Sequence, residues 1–338
     1  MALSRSVITS LVILFCCAGC GAPHASNSAD PTQTARGGNA VQPAGGADTF
    51  DGARAFTQLQ AQCDFGPRPM GTTAHDRCLA WIVQQLTPLV DAAPIQQSFP
   101  YKSPTTGQSF TVTNVIGRIN PTAPKQILLA AHWDTRPFAD MDTVPANQLK
   151  PILGADDGAS GVAVLLELAR IFHANRPTAG VEFVFFDGED YAPHPKVETE
   201  MYLGAKYFAN HLKGPGGASL KPTYGILLDM IGDKDLNIYE EVNSLNKAPD
   251  IVRKVWGAAA ALGDAANFIP QTKYTVEDDH LPLLQKGIPV IDCIDFDYET
   301  FADPARQYWH TLMDTPDKCS AQSLQIVGSV MSKVVYSE

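Results

Sequence analysis

Four short runs of apolar residues divide the middle of the chain: QILLAAH (126–132), VEFVFFD (181–187), YGILLDM (224–230) and IPVIDCI (288–294). Each is nearly continuous rather than alternating, which is the pattern of a strand covered on both faces. Between them lie segments with apolar positions at helical spacing: GVAVLLELARIFHA (161–174), MYLGAKYFANHL (201–212) and DIVRKVWGAAAAL (250–262). Strands alternating with helices predict an α/β sandwich whose sheet is largely parallel. In such sheets ligands bind outside the carboxyl ends of the strands.

The polar residues collect at those ends. QILLAA runs into His132 and Asp134, VEFVFFDG into Glu189 and Asp190, and YGILL into Asp229. Asp156 and Asp157 stand in GADDGASG just before a predicted helix, and QYWHTLMDTPD supplies His310. Taken singly, each has an ordinary explanation. An aspartate before a helix is commonly its N-cap, and a histidine at a strand end or in a turn is commonly a packed, hydrogen-bonded residue. Glu189–Asp190 is harder to explain that way, because adjacent acids at the end of a buried strand are costly unless their charge is compensated. Imidazoles and carboxylates in this order suit a divalent cation, zinc above all, and a catalytic zinc keeps a position open for substrate. An acid beside a ligand, not itself needed as one, is a natural proton carrier. His24, His173, His194 and His211 are assigned to surface or tether positions.

The N-terminal region has a different pattern. Residues 1–20 carry Arg5, an apolar stretch from Val7 to Phe15, and small residues leading to Cys20. This is the layout of a secretion signal, too short for a membrane span. The AGC ending at Cys20 resembles a bacterial lipobox, although Cys17 stands where leucine is usual, and predicts a lipid anchor on Cys20. Gly21 follows in place of aspartate, which disfavours inner-membrane retention. Residues 21–47, rich in Ala, Gly, Ser, Pro and Thr, read as a flexible tether, and 48–338 as one catalytic domain. The expected location is the cell envelope or the exterior.

The chain has 338 residues, 45% of them hydrophobic, and a formal net charge of −11. Its length suffices for a sizeable core, and the acidic balance argues against nucleic-acid binding, which needs a basic face. Excluding Cys16, Cys17 and Cys20, four cysteines remain, Cys63, Cys78, Cys293 and Cys319, and none has zinc-finger spacing. Export permits disulfides. A Cys63–Cys78 bridge, worth roughly 3 kcal/mol by loop closure, is the preferred one of three possible pairings.

The ordered set His132-x-Asp134, GADDGASG, FFDGED, LLDMIGD and YWHT resembles the family-28 zinc metallopeptidases, the aminopeptidase superfamily that also contains animal-type glutaminyl cyclases. The likeness runs from FGPRPMGTTAHDRCLAWIVQQL to the C-terminus. It implies a three-layer α/β sandwich with a central mixed, largely parallel sheet flanked by helices. It also implies zinc ligands at Asp157, Asp190 and His310, a proton carrier at Glu189, and Asp229 and His132 at a second-metal position if there are two ions. VFFDGED, LLDMIGD and VEDDHLPLLQKGIPVID look like the cyclase versions of these segments. Asp278 falls where the cyclases have an active-site aspartate, and Trp309 where they wall the pocket around a glutamine side chain. Three departures stand out. Asp292 replaces a histidine after the IPV strand, YAPHPKV lacks a tryptophan, and the loop before YWHT is longer. Tyr298 or Phe301 in that loop is a candidate for the missing aromatic surface.

Two chemistries fit these residues. An aminopeptidase makes its nucleophile from water with paired metals, Asp157 bridging and Glu189 relaying the proton. A cyclase uses the substrate's own α-amine, one zinc to polarise the γ-carbonyl of an N-terminal glutamine, and Glu189 as shuttle. Asp229, supported by Asp278, then holds the substrate. The expectation is a monomeric glutaminyl-peptide cyclotransferase acting on peptide N-termini, with a dinuclear aminopeptidase as alternative. An inactive tethered binding protein would require a broken catalytic set, and Glu189 and His310 are both present.

Overall fold

The structure is a computed structural model and describes residues 49–191, 198–298 and 307–338. All described residues lie in one compact unit. The segments expected to be a signal and a tether, and Cys20 with its expected lipid, lie outside the described residues, as does Phe301. Among the described residues no helix is long and apolar enough to cross a membrane.

A six-stranded sheet carries the unit. Its parallel part is β3 (Gln126–His132), β4 (Gly180–Phe186), β5 (Tyr224–Asp229) and β8 (Val290–Ile294), and an antiparallel hairpin, β1 (Ile95–Lys102) and β2 (Ser109–Ile119), extends one edge. The spatial order is β1-β2-β4-β3-β5-β8. A short parallel pair, β6 (Ile238–Glu240) and β7 (Phe268–Thr272), lies outside this sheet. The four expected strands are the four parallel ones, and the expected three-layer α/β architecture with a mixed sheet is the one observed.

Their continuous apolar sequence follows from double coverage. Ile127, Leu129, Val181, Phe183, Ile226 and Leu228 enter one core cluster. Their alternate neighbours Leu128, Ala130, Val184, Phe186, Leu227 and Val290 enter another on the opposite face. The first cluster packs against α1 (Gly52–Cys63), α2 (Thr73–Leu86), α3 (Ala159–Ala174), α6 (Pro249–Leu262) and α8 (Ala321–Tyr336). The second packs against α4 (Leu203–Asn210) and α7 (His280–Gln285). A short helix, α5 (Val242–Lys247), precedes α6.

The connection from β3 through α3 reaches β4 on one side, and the connection from β4 through α4 reaches β5 on the other, so β3 lies between them. The two crossovers occupy opposite faces, which opens a crevice at the carboxyl end of β3 where no crossover covers it. That is where the acids and histidines were expected.

Cys63, Cys78, Cys293 and Cys319 are free, buried thiols, which corrects the expected Cys63–Cys78 bridge. Both residues belong to the core cluster shared by α1, α2 and α3, where they pack as small hydrophobes rather than bond across a loop. Burial pushes Cys63 up to about 12 and Cys78 up to about 11, so both stay protonated and inert.

Candidate active site and metal centre

His132 closes β3 and is 1% exposed, surrounded by carboxylates. Its Nε2 lies 3.1 Å from Asp157 Oδ1 and 3.1 Å from Asp229 Oδ1, and its Nδ1 lies 3.6 Å from Asp134 Oδ1 and 3.8 Å from Glu189 Oε2. Burial disfavours its charge, but Asp229, Asp134 and Asp157 more than offset this and hold it well above the ordinary histidine range.

Two carboxylates fix the acid-bearing turns by the same device. Asp134 accepts the amides of Glu189 (3.1 Å) and Asp190 (3.3 Å), and Asp314 accepts those of Asp156 (2.8 Å) and Asp157 (3.2 Å). Buried Arg68, in the FGPRPMG segment, donates to the carbonyls of Trp133, Leu153 and Gly154 and joins the His132 turn to the Asp157 turn. Asp157 is not an N-cap: α3 begins at Ala159, and Gly158, at φ 102°, holds the cap position without a side-chain bond. The glycine is required there, because a β-carbon would meet Asp134 O at 2.7 Å and His132 Cε1 at 3.2 Å. Asp157 is therefore free to face His132 on one side and His310 on the other.

His310 arrives from the C-terminal turn in a left-handed conformation, φ 53°. Its Nε2 lies 3.4 Å from Asp157 Oδ2 and 3.6 Å from Asp190 Oδ1. Burial and the Arg136 charge lower it to about 4, leaving a neutral imidazole, the form that ligates metals. Asp157, Asp190 and His310 form one group of convergent donors, and His132, Asp157 and Asp229 a second. Asp157 Oδ2 and Asp190 Oδ2 are buried without a hydrogen-bond partner. Zinc bonds of 2.0–2.1 Å at tetrahedral angles place donor atoms about 3.3 Å apart. The separations around His310 and the unpartnered oxygens fit such an ion. Zinc fits this donor set in chemistry as well as spacing.

A cavity of about 230 Å³ opens on these residues and is also lined by Glu189, Asp229, Asp278 and Trp309. Every site residue expected from the sequence except His132 lines it, and His132 lies behind Asp157 and Asp229. Trp309 stacks on His310 (4.0 Å between centroids) and meets Phe296 edge-on at 5.0 Å. Of the two candidates for further aromatic surface, Phe301 lies outside the described residues and Tyr298 does not line this cavity, where Phe296 and Tyr202 accompany Trp309. The Tyr298 hydroxyl donates to buried Asp156 Oδ2 at 2.6 Å, and its ring lines an adjoining cavity with Phe296 and Trp309. Tyr202 sits at φ 57° and is anchored by its hydroxyl to the Glu277 carbonyl (2.8 Å). Burial and the neighbouring charge on Asp229 raise Asp278 well above the carboxylate range. Asp292 is buried on β8, its Oδ2 3.7 Å from His280 Nδ1, so an imidazole still reaches this position, from α7.

Sequence reasoning missed Arg136, Asp140, Tyr202 and Phe296. Arg136 and Asp140 stand in HWDTRPFAD, and the only signal was a basic residue close to the cluster. Tyr202 was read as helix, and only its left-handed backbone turns the ring into the cavity.

The profile of Peptidase family M28 matches residues 114–335. Among solved structures, the glutaminyl cyclase of Bacteroides thetaiotaomicron bound to N-acetylhistamine is 36% identical, with a TM-score of 0.79, covering 86% of this chain and 99% of that one. A leucine aminopeptidase precursor from the same organism is 35% identical, with a TM-score of 0.79, covering 87% and 99%. Glutaminyl-peptide cyclotransferase of Bos taurus is 24% identical over 75% of this chain. The chain spans 70% of the length of that protein and 65% of its counterpart from Boiga irregularis. The chain belongs to peptidase family M28, among the members that include the bacterial glutaminyl cyclases.

Proposed function

We propose that this protein is a zinc-dependent glutaminyl-peptide cyclotransferase, which converts the N-terminal glutamine of peptides to pyroglutamate with release of ammonia. The observation that carries the reading is the cavity itself. Glu189, Asp229 and Asp278 face one small space walled by Trp309, an acidic and aromatic pocket that suits a residue bearing both a cationic α-amine and a planar side-chain amide. Asp157, Asp190 and His310 would hold the zinc, which when bound polarises the γ-carbonyl. Asp229, bonded to His132 and backed by Asp278, orients the amine. Glu189 takes the proton that the neutral α-amine sheds as it attacks the side-chain amide carbon (Cδ) and returns it to the departing nitrogen, so one C–N bond forms, one breaks and ammonia leaves. Both reacting groups belong to one residue, so proximity supplies much of the advantage. The buried environment that raises Glu189 suits a group that must hold a proton in mid-reaction.

The His132–Asp157–Asp229 donor group supports a second reading, a dinuclear aminopeptidase. Mass spectra of one peptide beginning with glutamine and one beginning with leucine, each incubated with the zinc-loaded protein, separate the two. Loss of ammonia from the first with the second intact is expected. Release of leucine would overturn the cyclase reading and return His132 and Asp229 to a metal. An exported protein held by a lipid on Cys20 and acting as a monomer completes the proposal, supported by residues 1–20 alone in the case of export.

A further inference from the structure

Arg136 is 1% exposed and has no role in the chemistry above. Its Nη1 donates to Asp190 Oδ1 at 2.6 Å, while Nε and Nη2 hold both oxygens of Asp140 at 2.7 and 2.9 Å. Asp140 Oδ1 in turn lies 3.6 Å from Nδ1 of His310, the ring nitrogen that faces away from the other donors. The same loop grips the backbone at His310 and just after it. Met141 N donates to His310 O at 3.2 Å, and Asp142 Oδ2 accepts from Leu312 N at 3.2 Å.

We propose that Arg136 and Asp140 form a positioning clamp for two of the three candidate zinc donors. Arg136 holds Asp190 through Oδ1, the oxygen that lies 3.6 Å from His310 Nε2, while Oδ2 is buried and unpartnered. Asp140 faces the outer nitrogen of His310, which fixes the ring with Nε2 toward the ion. The planar guanidinium ties the two together, so the separation of Asp190 from His310 is set by one rigid group rather than by two independent side chains. A lysine cannot replace it, since a point charge cannot hold the two oxygens of Asp140 and reach Asp190 at once. His310 keeps a left-handed backbone that costs energy, and the loop contacts are what maintain it.

The proposal rests on the zinc reading, and its test is independent of which substrate is turned over. Arg136→Lys and Asp140→Asn would be prepared in the full chain and their zinc affinity measured by chelator competition. Visible spectra of the cobalt-loaded proteins and melting of the metal-stripped proteins would be recorded alongside. Zinc binding should weaken about 10–100-fold in each variant, with altered cobalt bands. The Asp140 side chain is 31% exposed, so metal-free Asp140→Asn should melt close to the parent. If Arg136→Lys does not fold, Asp140→Asn alone decides. Unchanged zinc affinity and cobalt spectrum in Asp140→Asn would overturn the clamp. So would a zinc loss matched by an equal loss of metal-free stability, which would make the pair merely structural.

Discussion

Glu189 has its carboxyl group buried beside His132 and near Asp190 and Asp278, and burial in that company holds it well above the usual carboxylate range. Its neighbour Asp190 shares the same turn and is raised by burial too, but Arg136 donates to it and opposes that shift. The adjacent acids therefore differ in partner, Glu189 beside His132 and Asp190 held by Arg136, which is the difference that separates a proton carrier from a ligand in this reading. Glu189→Gln should therefore retain zinc while losing nearly all turnover, because an amide cannot relay the proton. Normal turnover in that variant would reassign the role. His310→Ala should lose both zinc and activity, which a metal assay on the purified protein checks. For single residues the sequence was informative about types and order, and misleading about environment. Asp157 read as well as an N-cap as a ligand, and only the glycine at the cap position, with two histidines opposite, separates the two.

At the scale of elements, the site depends on how closely α3 lies against β5. Gly161, on the first turn of α3, leaves no room for a side chain: a β-carbon would meet the Leu228 carbonyl at 2.3 Å and the Ala131 side chain at 2.7 Å. Gly161→Val should push the helix off the strands that present His132 and Asp229. A stability loss of about 1–3 kcal/mol by urea unfolding is expected, together with weakened zinc binding. A variant as stable as the parent would show that the helix has freedom to move. The parallel strands were legible because burial on both faces leaves an uninterrupted apolar run. The β1–β2 hairpin was not. Along β1 half-buried and exposed positions alternate, and IQQSFPYK carries too few apolar residues to stand out. The helices α1, α2 and α8 were not read either, although each buries an apolar stripe at helical spacing, as α6 does.

Among the described residues there are more buried carboxylates than buried cations, and acid stability should depend on those held as anions by hydrogen bonds. Glu241 caps α5, accepting from the amides of Asn243 (2.8 Å), Ser244 (2.6 Å) and Val276 (3.1 Å). Burial alone would raise it; His280 and these amides outweigh burial and lower it from 4.5 to about 2. A carboxyl group depressed by folding stabilises the native state above its unfolded value, and that contribution disappears as pH falls through the folded one. Glu241→Gln should cost about 1–3 kcal/mol at neutral pH and flatten the loss of stability between about pH 4.5 and 2. Melting curves across that range check it, and parallel curves for parent and variant would exclude the contribution.

The sequence by itself determined the parallel strands, the kinds of residue at their ends and the order of candidate ligands, because apolar continuity and residue type are local properties. It did not determine that the four cysteines stay unbridged, that Tyr202 and Phe296 line the cavity with Trp309, or that Arg136 and Asp140 bracket the metal donors. Those depend on which distant segments meet: the loop after β3 with the turn at His310, and α4 with the segment before α7. Contacts between residues far apart in the chain leave no periodic trace in it, and only the packed tertiary structure decides them.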